Sequence, residues 1–233
     1  MAKSTSLNFT QSLNNVSLQF NSADLYQAVQ VAVTSAGSNL TPGLRTFTLA
    51  GGTQVSGGSG AGTFTATVAG AAGAGYVSGP ITMTSYGQYT VGNGPTAAAN
   101  AATVDSGTTN ATFAVTVGIV KTLYTGGAND SIIKAINVSS TDTAARIMTL
   151  WEQDASSGIM NIIGSINIPL TAGTGSGTTS SIDLLGGTLL PSLPYDANGK
   201  RIFPLKANTK LLVSVPAVTA STYISVHAIA EDY

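Results

Sequence analysis

Apolar and small polar residues alternate along most of the chain, and the alternation is clearest in its second half. Seven runs there carry it: 131–139, 145–153, 159–170, 181–186, 200–205, 210–217 and 222–231. A period of two places successive side chains on opposite faces of a strand, and the Val, Ile and Thr that fill these runs fit a pleated surface better than a helix. In KLLVSVPA the pattern sets Leu211, Val213 and Val215 against Leu212, Ser214 and Pro216, so one of the two sets must face a core. Turn chemistry separates the runs, with Asp154 to Gly158 before the third and Asp196-Ala197-Asn198-Gly199 before the fifth. Seven short strands so punctuated predict a β-sandwich of jelly-roll-like form over 121–233, with Trp151 at an inward strand position.

The first half repeats itself. VAVTSAG at 31–37 returns as ITMTSYG at 81–87, and TFTATV at 63–68 returns as TFAVTV at 112–117, at offsets of 50 and 49. Two blocks recurring at nearly one offset predict a duplicated supersecondary unit. Gly-rich connectors at 51–62 and 69–75 suit turns or bulges between its strands. SADLYQAVQVAV is open to two readings: a helix capped by Ser22 with Tyr26, Val29 and Val33 on one face, or a strand. Only Lys3, Asp24, Arg45 and Asp105 are charged before residue 121, whereas 121–233 holds fifteen charges. That shift sets the expected organisation: an extended N-terminal arm at 1–22, a Gly/Thr-rich duplicated β domain at 23–120, and the sandwich at 121–233, all-β throughout.

Composition narrows the function. Of 233 residues 43% are apolar but only 8% are charged, against roughly 25% in an ordinary soluble domain. The surface is therefore built from Ser, Thr, Asn and Gly, which neither repel other copies nor steer a charged ligand, and this favours permanent assembly. With a net charge of −1 and no basic run, nucleic acid is not expected as a partner. No apolar stretch approaches about 18 residues, so no spanning helix is expected. The N-terminus lacks the apolar core of a secretory signal, which points to assembly in a cytoplasm. The chain has no cysteine, removing disulfides, thiolate metal sites and a thiol nucleophile.

Candidate chemistry is sparse. His227 is the only histidine and lies in the alternating YISVHAIAEDY, where a strand histidine is a better reading than a catalytic base. Glu152 with Asp154, or Glu231 with Asp232, would be the carboxylate pairs of a glycosidase, but one tryptophan is too little aromatic surface for a glycan cleft. Asp130, Asp142 and the Asp196 turn offer oxygen ligands without a complete calcium loop. GGSGAG and GTGSG lack the ending of a phosphate-binding loop. The expectation is a protein that is not an enzyme, with no catalytic, cofactor-binding or metal-binding residues and no cofactor.

One further pattern bears on function. Thr125, Gly127, Asn129, Ser131 and Ile133 are followed by Ser140 to Asp142 with Ala145 and Arg146, then by Leu193 to Gly199 and a final pair of strands. This arrangement resembles a domain of structural proteins of tailed bacteriophages. The N-terminal blocks are similar, more weakly, to Gly/Thr-rich β repeats of such proteins; Asn39-Leu40-Thr41 and Gln88-Tyr89-Thr90 stand where those have a Gly-Tyr-Thr turn. The resemblance implies a virion protein without catalytic residues. The expected role is a capsid decoration or cement protein, a homo-oligomer with a trimer favoured, bound to the major capsid protein or other virion proteins. A tail, neck or fibre component is the alternative.

Overall fold

The computed structural model describes residues 12–40, 42–56, 60–68, 75–76, 81–91, 94–95, 97–98, 111–154, 156–174, 181–186, 190 and 193–233. The expected connector at 69–75 thus falls outside the described residues except for Gly75. The protein is all-β. Its strands are β1 (Ser12–Asn21), β2 (Tyr26–Ser35), β3 (Gly43–Ala50), β4 (Thr63–Val68), β5 (Thr82–Ser85), β6 (Ala97–Ala98), β7 (Thr112–Thr125), β8 (Ser131–Ser140), β9 (Arg146–Gln153), β10 (Met160–Ile168), β11 (Ile182–Asp183), β12 (Phe203–Leu205), β13 (Lys210–Val215) and β14 (Tyr223–Asp232).

Two antiparallel sheets form a sandwich. One runs β1-β14-β8, with β11 and β12 both on β8; the other runs β10-β9-β13-β7-β2. Between them lies a core including Phe20, Ile133, Ile136, Leu150, Ile168, Leu211, Val213, Val215, Ile224 and Val226. The Leu211 set therefore takes the core side of β13. Removing these apolar side chains from water is the main stabilising term, at about 25 cal/mol per Å² of apolar surface.

The sandwich is not confined to 121–233. Ser12–Asn21, expected as part of an extended arm, pairs with β14 along its whole length, from Ser12↔Asp232 to Asn21↔Tyr223. The reason is in VSLQF: Phe20 enters the core and Val16 and Leu18 pack against it, while Asn15, Ser17 and Gln19 are exposed. The expected boundary at 120/121 falls inside β7, a continuous strand whose first part pairs with β2 and whose last part pairs with β13. The change in charge density marks a change of surface, not the end of a strand. The segment 22–33 resolves as a turn, where Asp24 accepts from Asn21 N at 2.8 Å, followed by β2, not as a helix. The β-branched end of that segment is satisfied by its ladder with β7.

The smaller sheet, β5-β4-β3-β6, packs with β2 and the start of β7 around a second core. Here the two repeat copies pair across each other. Val33 lies opposite Phe113 and Met83 opposite Phe64, which are matching positions in matching registers. Both ladders carry a bulge in the same place, leaving Thr34 and Thr84 as the extra residues. Their hydroxyls make matching contacts, Thr34 to Thr112 at 2.8 Å and Thr84 to Thr63 at 2.6 Å. The glycines closing each block, Gly37 and Gly87, share a positive φ of 70° and 63°. Phe47 stacks on Phe64 at 4.9 Å between ring centroids, with Phe113 and Tyr76 edge-on or tilted around them.

Tyr89 locks this unit to the sandwich side. It exchanges backbone bonds with Tyr26, and its buried hydroxyl accepts from Gly62 N at 2.9 Å. Tyr89→Phe keeps the ring and orphans that N–H, so chemical denaturation should show a loss of about 1–3 kcal/mol.

Candidate functional site

Two of the carboxylates singled out by the sequence, Asp142 and Asp232, tie distant segments of the chain together. Asp142 is buried; it accepts from Arg146 Nε at 2.8 Å, from Thr219 Oγ1 at 2.5 Å, and from the backbone N–H groups of Ala144 and Thr219. Burial pushes its carboxyl up, but the Arg146 and Thr219 bonds outweigh this and hold it at about 2. Asp232 accepts from Ser131 Oγ at 2.5 Å, Tyr124 OH at 2.7 Å and Asn14 Nδ2 at 2.8 Å, tying β1, β7, β8 and β14 at one end of the sandwich. The Ser131 bond first, with Tyr124 and Asn14, holds this carboxyl below its ordinary range against burial. Burial, and donation to Asp232, raise Tyr124.

The carboxylate pairs do not converge. Asp154 is exposed and turned onto its own loop, accepting from the hydroxyls and N–H groups of Ser156 and Ser157, which lower its pKa. Glu152 is a half-buried residue of β9. Glu231 pairs with Lys134 at 3.0 Å, while its neighbour Asp232 belongs to the bracket above. Asp196 closes its turn by accepting from the N–H of Asn198 and of Lys200, the stronger influence in lowering its pKa being Lys200. Asp130 accepts from Ala207 N. His227 is exposed on the outer face of β14, opposite Ser17 and Asn137. Among the described residues no three His, Cys, Asp or Glu side chains group together as a metal would require.

The feature that stands out is a groove on the outer face of the β10-β9-β13-β7-β2 sheet. Trp151 forms its floor. It is buried, but in a cluster with Val29 and Leu212 on the face opposite the main core, where the sequence had placed it inward. Its Nε1 donates to Ser214 Oγ at 2.7 Å, which satisfies the indole and explains a buried serine in β13. Tyr86 builds one wall: it donates to Gly158 O at 3.0 Å and accepts from Met160 N at 2.8 Å, so the repeat unit is pinned to the β9–β10 turn. Burial raises the Tyr86 pKa, the Met160 bond opposing it. Two adjoining cavities, of about 460 and 270 Å³, share Val29, Gln30, Trp151 and Ile162. Ile147 is 59% exposed and Ile162 52%, and none of the described lining residues is charged.

This groove was not legible in the sequence, because it is made where the repeat unit leans on the sandwich. The one available signal was Ile147 and Ile162 at outward positions of their strands. A third cavity, of about 630 Å³, is lined by Lys134, Asp183, Tyr195, Lys200 and Arg201 among others; its Arg201 guanidinium lies 5.4 Å from the Tyr195 ring centre.

No protein-family model matches the chain, and no curated protein matches it. Among solved structures, a structure of the Gx strain of infectious bursal disease virus aligns over 95% of this chain and 79% of the other at 11% identity, with a TM-score of 0.20.

Proposed function

We propose that the protein is a non-enzymatic structural component of a bacteriophage particle, assembled in the host cytoplasm, and that it serves as a capsid decoration or cement protein. In this reading it is a homo-oligomer, a trimer by preference, seated on the major capsid protein lattice. The observation that carries the reading is the uncharged character of two of its edge strands and of the groove beside one of them. The edge strands β1 (SLNNVSLQFN) and β10 (MNIIGSINI) contain no charged residue, and the groove beside β10 is lined by neutral side chains. Strand edges without gatekeeper charges pair with other chains unless something covers them. Buried contact repeated over many copies converts modest affinity into firm attachment.

The strand order supports the same reading. With β1-β14-β8-β12 facing β7-β13-β9-β10, first and last strands adjacent, the sandwich has the connectivity of an eight-stranded jelly roll, and the repeat unit is an insertion between its first two strands. Of the carboxylates considered for a glycosidase, Asp154 is held by Ser156 and Ser157, Glu231 by Lys134 and Asp232 by Ser131, Tyr124 and Asn14, which favours a non-enzymatic role.

Quantitative mass spectrometry of dissociated, purified particles tests the proposal. A copy number comparable to that of the major capsid protein is expected. A small fixed number per particle would instead support a tail, neck or fibre component, and absence from particles would overturn the virion assignment.

A further inference from the structure

We infer that the third cavity, at the edge of β8, is a binding site for a saccharide that bears a carboxylate, of the uronic-acid class. The site goes beyond the structural role proposed above, which rests on where charge is absent; this one rests on where charge gathers. Of the chain's nine Lys and Arg residues, Lys134, Lys200 and Arg201 line this one cavity. Its place follows from the sheet. β8 carries two short partners, β12 at Ser131 to Ile133 and β11 at Asn137 and Val138, and the cavity opens over Lys134 and Ala135 between them. Lys134 is the extra residue of a bulge, since Ile133 pairs with Ala230 and Ala135 with Ile229. The bulge lets both Lys134 and Ala135 line the cavity, where strict alternation would separate them.

The hairpin 195–201 supplies another wall, and its turn is fixed. Asp196 Oδ1 accepts from Asn198 N at 2.9 Å and from Lys200 N at 2.8 Å, and Tyr195 bridges to Arg201. Arg201 donates through Nε to Tyr195 OH at 3.1 Å and through Nη1 to Leu190 O at 2.8 Å. Both acceptors are neutral, so the guanidinium is held in place with its charge uncompensated. Among the described residues neither Arg201 nor Lys200 is in an ion pair, whereas Lys134 is paired with Glu231. A fixed guanidinium beside a second cation suits a carboxylate. Asp183 gives the site an acceptor. Its Oδ1 accepts from Leu185 N at 3.1 Å, and a Cβ on residue 186 would come within 2.6 Å of Oδ2, so Gly186 leaves that second oxygen room. A carboxylate on the same cavity repels a phosphate dianion but accepts from a hydroxyl. Tyr195, 59% exposed, offers its ring to the C–H face of a sugar. A hydroxylated monoanion with an apolar ring face meets all three features, and about 630 Å³ is in the range of small-ligand sites.

Nuclear magnetic resonance on the isotope-labelled full chain tests the site, with sodium glucuronate, glucose, inorganic phosphate and a diglutamate peptide as separate probes. Glucuronate is expected to shift the amides of 183–186 and 195–201 saturably and to leave those around Trp151 unmoved. Glucose, which lacks the carboxylate, should bind about ten-fold more weakly, and so should glucuronate to Lys200→Gln or Tyr195→Ala. Both residues are exposed, so these variants keep the fold, which the rest of the amide spectrum checks. Asp183→Asn should weaken glucuronate and strengthen phosphate, because it removes the charge that repels the dianion. No shift in the cavity with glucuronate overturns the site. Phosphate bound as tightly as glucuronate overturns the saccharide and leaves a simple anion site; tighter binding of the diglutamate peptide overturns it in favour of an acidic protein partner. Equal affinity for glucose and glucuronate overturns the assignment of Lys200 and Arg201 to the carboxylate.

Discussion

Replacing Asp142 by alanine should destabilise the protein by about 3–5 kcal/mol, the range for removing one member of a buried, hydrogen-bonded ion pair. The carboxylate has no exposed surface; it holds Arg146, Thr219 and the Ala144 N–H together, and its own backbone carbonyl accepts from Thr171 N. Without it the Arg146 guanidinium keeps, among the described residues, its hydrogen bond to Thr219 Oγ1 at 2.9 Å. Urea unfolding measures the loss; a change below about 1 kcal/mol would place the bracket among ordinary surface pairs. The pH dependence gives an independent check. The folded-state pKa of about 2 lies below the ordinary aspartate value of 3.8, so this group's contribution is fully present above pH 4 and disappears as pH falls through 2. The difference corresponds to about 2 kcal/mol. Wild type should therefore lose that increment across this window, and Asp142→Asn should lack it.

Phe64→Ala should cost a similar amount, about 3–5 kcal/mol, because it removes a fully buried ring that stacks on Phe47 and meets Phe113 edge-on. Its counterpart Phe113 is only half-buried, so Phe113→Ala should cost less even though the two hold matching positions in the repeat. The two changes together should be non-additive, since the rings touch. Hydrogen exchange locates the damage. Amides of β3 and β4 should exchange fastest in Phe64→Ala, while those of β8 and β14, packed around the other core, keep their protection. Equal loss of protection in both regions would show that the two cores unfold as one unit.

The alternating runs determined their own strands, because a period of two admits only one local structure when β-branched residues fill it: β8, β9, β10 and β14 lie within a residue or two of where the alternation put them. The repeat blocks were equally legible, since identity at a fixed offset needs no tertiary information. Pairing partners were a different matter. That Val33 would lie against Phe113, and Met83 against Phe64, depends on contacts between residues far apart in the chain, which neither block encodes by itself. The role of Ser12–Asn21 was hidden because its three inward residues, Val16, Leu18 and Phe20, are outnumbered by polar neighbours; the face they make becomes visible only once β14 lies beside them. Trp151 and Leu150 are adjacent, and alternation alone says that they face opposite ways. Which face was the main core was decided by the second sheet covering Leu150, and the burial of Trp151 by Val29, Leu212, Val120 and Met160 gathering around it on the other side. Local periodicity determined the strands; their order, and the groove that order creates, came from which apolar faces could cover one another.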